Sequence, residues 1–146
     1  MRISKKAEYA LRALVLMARS PKSWSIPELR VQERIPIKFL EQILLALRRA
    51  GILGSKRGVG GGYVLSRPPS EISVGEVIRS LDGPLAPVPC AAERPGERCS
   101  CPDPRNCAVR LLMIRFRSEL ASWMDRHTLE DMLHLSGRRE TLAFDI

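Results

Sequence analysis

Apolar residues return every three or four positions along several stretches of the chain, and polar punctuation separates those stretches. Between Ser4 and Ser20, Tyr9, Ala10, Ala13, Leu14, Leu16 and Met17 make a wide apolar stripe. Ser4 can cap this first helix, and Pro21 and Lys22 end it. Ser25-Ile-Pro-Glu28 has capping-box spacing with an early proline, so a short second helix runs to about Glu33. Trp24, just before the cap, can staple onto Leu29. A third helix opens at Pro36, turns Phe39, Leu40, Ile43, Leu44 and Leu47 inward, and stops at Gly51.

The period then changes. Ile52–Arg57 and Tyr63–Ser66 flank the glycine-rich run Gly58–Gly62, which predicts a β-hairpin. Ser73-Val-Gly-Glu76 is a second capping-box pattern and leads a fourth helix to about Leu81. Gly83–Asn106 is irregular. From Cys107, Val109, Leu112, Met113, Phe116, Leu120, Trp123 and Met124 restore a helical period, and Leu111 and Ile114 widen its apolar face. About 18 residues at about 1.5 Å each make a rod of roughly 27 Å, more apolar surface than a small module needs, so a second copy is its simplest partner. Thr128-Leu-Glu-Asp131 starts a last short helix.

The expected fold is therefore mainly α with a small β-hairpin: a winged helix-turn-helix domain plus a long C-terminal dimerisation helix. Its divisions are a winged helix-turn-helix head over 1–83, an irregular cysteine-rich loop over 84–106, the long and short terminal helices over 107–133, and a mobile tail over 134–146.

Charge sharpens this. Residues 1–67 carry 14 Lys/Arg against 4 Asp/Glu, whereas 68–146 carry 10 against 12. A basic N-terminal half is the footprint of a polyanionic partner. The longest apolar run, Ala13–Ala18, is too short to span a membrane. Glu8 and Arg12 interrupt any signal-peptide pattern, so a cytoplasmic protein is expected.

Within a helix-turn-helix, the early part of the second helix meets base edges. Here its polar positions are Lys38, Glu41 and Gln42, with Arg48 and Arg49 near the far end, suited to the backbone. Lys56 and Arg57 begin the wing, where Arg57 suits a minor groove or a phosphate. Gly58–Gly62 lacks the ending of a nucleotide loop and leads into a strand. Neither histidine nor any carboxylate pair forms a recognisable catalytic motif, so no enzyme is expected, and an electron-transfer or hydrolytic protein is the weaker alternative.

The segments Met1–Leu14, Phe39-Leu-Glu-Gln-Ile43, Ala50-Gly-Ile-Leu53, Arg57-Gly-Val-Gly-Gly-Gly-Tyr63, Ser73-Val-Gly-Glu-Val-Ile78 and Thr128-Leu-Glu-Asp-Met132 resemble the IscR/NsrR-type family of bacterial regulators. The similarity covers residues 1–133 in order. It implies a homodimer with two winged heads and crossed long helices on a near-palindromic operator in double-stranded DNA.

All four cysteines, Cys90, Cys99, Cys101 and Cys107, lie in one loop with the spacing C-x8-C-x-C-x5-C. Zinc sites favour C-x2-C or C-x4-C pairs, neither of which occurs, and often recruit histidine; disulfides are unexpected in a cytosolic chain. A soft thiolate set suits an iron–sulfur cluster, and Arg94, Arg98, Arg105 and Arg110 would offset its charge. Cluster-free redox thiols stay open, with the signal then being cysteine oxidation or a small metabolite. The resemblance implies three cysteine ligands and a variable fourth. Cys101-x5-Cys107 matches its last two, Cys90 fits the first across a longer gap, and Cys99 is additional. Arg110 stands where the cluster-assembly members carry histidine. The fourth ligand is then Cys99, or Glu8 of the partner subunit as in the nitric-oxide-sensing members, and the cluster is 2Fe–2S or 4Fe–4S.

Overall fold

The structure is a computed structural model and describes residues 2–92, 99 and 101–137. Arg94, Arg98 and the part of the expected tail beyond 137 lie outside the described residues. The elements are α1 (Lys5–Arg19), α2 (Ile26–Glu33), α3 (Ile37–Arg49), β1 (Leu53–Lys56), β2 (Gly62–Leu65), α4 (Val74–Asp82), α5 (Ala108–Arg126) and α6 (Leu129–Gly137). Short 3-10 turns at Pro69–Glu71 and Pro89–Ala91 interrupt the connections. This is the expected mainly helical winged helix-turn-helix.

Local chemistry sets the boundaries. Ser4 Oγ accepts from the Ala7 amide at 3.0 Å, and the Ser4 amide donates to Asp82 at 2.8 Å, tying the start of α1 to the end of α4. The Ser25–Glu28 capping box closes in both directions, at 3.3 and 2.8 Å. The Ser73 box closes in one direction only. Ser73 Oγ accepts from the Glu76 amide at 3.1 Å, but the Glu76 carboxylate turns to the Arg67 guanidinium at 2.5 Å. A charged donor outcompetes the neutral N-cap amide. Thr128 and Asp131, where the sequence starts the last helix, form a reciprocal capping box with Asp in the acidic position. Gly51, at φ +75°, lets the chain leave α3 in a left-handed turn that a side chain would resist.

One hydrophobic cluster holds the head together. It joins Ala10, Leu14 and Met17 of α1 to Leu29, to Leu40, Ile43, Leu44 and Leu47 of α3, and to Ile52, Ile72 and Leu129. Phe39, expected inside, instead remains at the surface at 37% exposure and meets Tyr9 edge-on, with ring centroids 5.9 Å apart. One helical step from Leu40 carries it off the buried stripe. A smaller cluster of Ala7, Ile78 and Met124 packs α1, α4 and α5 together. Leu129 is fully buried, so α6 folds back onto the head and packs against α1.

The hairpin pairs Leu53 with Leu65 and Lys56 with Gly62. Trp24 adds a third, one-residue strand through reciprocal bonds with Tyr63 of 2.9 and 2.7 Å. A bridge between Ser73 and Thr128, with the Val74 amide donating to the His127 carbonyl at 2.8 Å, ties the end of α5 to the head.

Candidate functional site

Two groups of side chains stand out, one on the head and one where the cysteine loop meets α5. On α3 the buried positions Leu40, Ile43, Leu44 and Leu47 leave the opposite stripe, Lys38, Glu41, Gln42, Leu45, Arg48 and Arg49, exposed. The fold thus presents the expected polar positions together on one face. The left-handed Arg34 (φ 52°) makes the turn that aims α3 away from α2.

The wing is built for close approach. Gly58 and Gly60 take φ values of +95° and +73° at its tip, and Val59 between them is fully exposed. A Cβ on Gly62 would collide with the carbonyl of Trp24. Most carboxylates of the head are paired: Glu28 with Lys22 at 2.8 Å, Glu33 with Arg12 at 3.1 Å, Glu76 with Arg67 at 2.5 Å. Among the described residues, Lys38, Arg48, Arg49, Lys56 and Arg57 make no ion pair or side-chain hydrogen bond. Their charge is uncompensated. It is available to neutralise phosphates and release counterions.

Cys90 lies in the 3-10 turn Pro89–Ala91, and Cys107 occupies the N-cap of α5. Cys107 Sγ is 3.8 Å from Cys101 Sγ, and the Cys101 amide points at Cys99 Sγ from 3.5 Å. The Cys101 thiol, hydrogen-bonded to Cys99 and Cys107, is pushed up to about 12. The Cys101 amide holds Cys99 below its ordinary value. The amides of Arg110 and Val109 at the start of α5 do the same for Cys107 without closing a cap hydrogen bond. Desolvation, then the charge of Cys99, pushes Cys90 up. The four thiols form one interacting chain.

A Zn–S bond of about 2.3 Å puts two tetrahedral thiolates about 3.8 Å apart, so the Cys101–Cys107 separation fits two ligands of one metal atom. Among the described residues, however, no three such donors enclose a single ion. An all-thiol donor set spread along a loop fits a multi-iron cluster, whose ligands divide among several irons, better than a mononuclear cage.

The loop is strapped to α5 by two arginines that sequence reasoning assigned no such role. Arg110 Nε donates to the Cys90 carbonyl at 3.0 Å, and Arg117 donates to the Ala91 carbonyl at 2.5 Å. Arg110, Arg117 and Met124 recur every seven residues, so they share the inward side of α5. Only the spacing hinted at this. Val109, Leu112, Phe116 and Trp123, on the other side, are 62, 60, 47 and 53% exposed. Glu8 sits apart from the cysteines of its own chain, paired with Lys5 at 2.7 Å.

The sequence model of Rrf2, "Iron-dependent Transcriptional regulator", matches residues 3–135. An rrf2-like HTH-type regulator of Rhodobacter capsulatus is 39% identical over 90% of this chain and 91% of its own. The HTH-type transcriptional regulator CymR of Bacillus subtilis is 33% identical over 100% of both. IscR of Escherichia coli is 30% identical over 97% and 89%. Among solved structures, CymR, the global cysteine regulator of B. subtilis, superposes with a TM-score of 0.75 at 33% identity, covering 92% of this chain and 98% of its own. An IscR of T. potens gives 0.72 at 27% identity over 93% and 88%. An oxidized form of Staphylococcus aureus CymR gives 0.70 at 30% identity over 91% and 96%.

Proposed function

Because this chain belongs to the Rrf2 family of transcriptional regulators, we propose that its grip on DNA is set by an iron–sulfur cluster in the Cys90–Cys107 loop. The chain is a DNA-binding transcription regulator and not an enzyme. In this reading residues 1–83 form the head, 84–106 the sensing loop, and 107–133 the dimerisation helix and most of the terminal helix, which continues to Gly137 into what the sequence alone reads as tail. Lys38, Glu41 and Gln42 address base edges of a near-palindromic operator, Arg48 and Arg49 its backbone, and Lys56 and Arg57 the adjoining minor groove or its phosphates.

The carrying observation is the chain of interacting thiols at the foot of α5, with Cys101 and Cys107 3.8 Å apart. Cys90, Cys99, Cys101 and Cys107 would hold the cluster, of 2Fe–2S or 4Fe–4S type. Cys99 is favoured over Glu8 of the partner subunit because it already lies in the thiol chain, whereas the Glu8 carboxylate is held by Lys5. When bound, the cluster supplies one-electron chemistry and sensitivity to oxidants. Arg110 and Arg117 fix the loop's carbonyls to α5. At the other end of α5, the Arg79–Asp125 pair at 2.6 Å and the Ser73–Thr128 bridge carry its position to the head. Two sites are thereby coupled through one rod.

A second reading rests on the same pair and on the oxidized form of the S. aureus relative. A peroxide oxidises the Cys107 thiolate to a sulfenic acid, itself reduced to hydroxide. The Cys101 thiol then displaces water to give the disulfide. Anaerobic reconstitution, visible absorbance, and iron and sulfide counts distinguish the two. A coloured protein whose DNA affinity changes on cluster loss supports the first; a colourless, iron-free one that loses two hydrogens with peroxide assigns the second.

A further inference from the structure

The root of the wing holds a feature that the reading face leaves unused. Among the described residues, Ser23 Oγ is the one buried side-chain polar atom without a hydrogen-bond partner. Ser23 itself lines an open cavity of about 240 Å³ together with the buried Met17, the half-buried Val64 and the exposed Lys22 and Lys56. Register explains the grouping. Lys56 opposes Gly62 and Gly54 opposes Val64, so Lys56 and Val64 share one face of the hairpin. Trp24 pairs with Tyr63, which sets Ser23 beside Val64. Gly62 carries no side chain into this space; a Cβ there would come within 3.1 Å of Ser23 Oγ.

We propose that this notch takes one phosphate of the DNA backbone, with the Ser23 hydroxyl and the Lys56 ammonium donating to its oxygens. An orphaned buried hydroxyl is a cost to the free protein that an incoming acceptor relieves. Charge selects the source. Lys22 lies 4.2 Å above the Trp24 ring and is already paired with Glu28 at 2.8 Å. That leaves one free cation, which matches the single charge of a phosphodiester better than the double charge of free phosphate. Lys56 is followed in the chain by Arg57 of the wing, so a DNA strand that meets the wing runs close to the notch. The proposal rests on the chain gripping duplex DNA, and does not depend on a cluster.

The test is fluorescence anisotropy on a random-sequence duplex between about 50 and 200 mM salt, using the full-length protein. Ser23→Ala weakens binding about tenfold with little change in salt slope, and raises the thermal midpoint because it removes the orphan. Lys56→Gln lowers the slope by about 0.9. The double variant loses less than the two losses combined, because both groups serve one phosphate, whereas Ser23→Ala and Arg49→Gln add. Wild-type affinity in Ser23→Ala, or strict additivity with Lys56→Gln, overturns the proposal. So does inorganic phosphate raising the wild-type midpoint but not that of Ser23→Ala while duplex affinity is untouched, which assigns the notch to a free anion. Absent duplex binding by the wild type overturns the regulator reading as well.

Discussion

Glu28 ties three things at once: it completes the α2 capping box, holds Lys22 across the Trp24 ring, and thereby fixes the turn into the reading unit. Its pKa falls from 4.5 to about 2, chiefly through Lys22 and then the Ser25 amide. A carboxylate depressed in the folded state binds fewer protons there than in the unfolded chain. Its contribution is therefore complete above pH 4.5 and is lost as pH falls through about 2. Urea midpoints measured across that window should decline in the wild type and decline less in Glu28→Gln; equal slopes would show that the box is not the titrating element. The cysteines give a second expectation of this kind. Cys99→Ser should abolish the visible spectrum of the reconstituted protein, while Glu8→Gln should keep it. The converse pattern would move the fourth ligand to the partner subunit.

Each element of the head depends on a few positions where backbone must pass close to backbone, and Gly62 is the sharpest. Its φ of +155° and the Trp24 carbonyl against its missing Cβ leave no space for a side chain. Gly62→Ala should cost about 1–3 kcal/mol in the strained backbone, plus displacement of the Trp24 strand. A lowered thermal midpoint accompanied by weaker DNA binding is the expected result; an unchanged midpoint would mean that the wing root yields freely. These elements were legible to different degrees. The α1, α2 and α3 boundaries could be read because Ser4, Ser25 and Gly51 act locally, within one turn of the chain. Phe39 could not be assigned to the surface, because a phenyl ring one step off the stripe is indistinguishable by period from a core position. The half-closed Ser73 box, the Trp24–Tyr63 strand, the orphaned Ser23 hydroxyl and the strapping of the loop by Arg110 and Arg117 all depend on partners distant in sequence. The cysteine spacing pointed to a set of soft donors in one loop. It gave no hint of which sulfurs would lie together.

At the scale of the whole molecule, α5 faces two ways. Arg110, Arg117 and Met124 turn toward the loop and the head, while Val109, Leu112, Phe116 and Trp123 face outward with roughly half or more of each side chain in water. A contiguous exposed apolar strip on one helix face marks an interaction surface. A rod continuous with the head through the Ser73–Thr128 bridge can hold two heads at a fixed spacing only if a second copy covers that strip. Burying about four large apolar side chains from each copy contributes on the order of 1.5–3 kcal/mol apiece, before the entropy of association is subtracted. If a second copy covers the strip, replacing Leu112 and Phe116 together with glutamate sets like charges against each other. Sedimentation should then report a monomer with the head's thermal unfolding preserved, since neither side chain belongs to the core. Losing the linked second head should weaken operator binding by about 10²–10⁴-fold and roughly halve the salt slope, because half the phosphates are no longer touched. A monomer with undiminished affinity would show that each head acts alone, and the cysteine loop would then have no spacing to control.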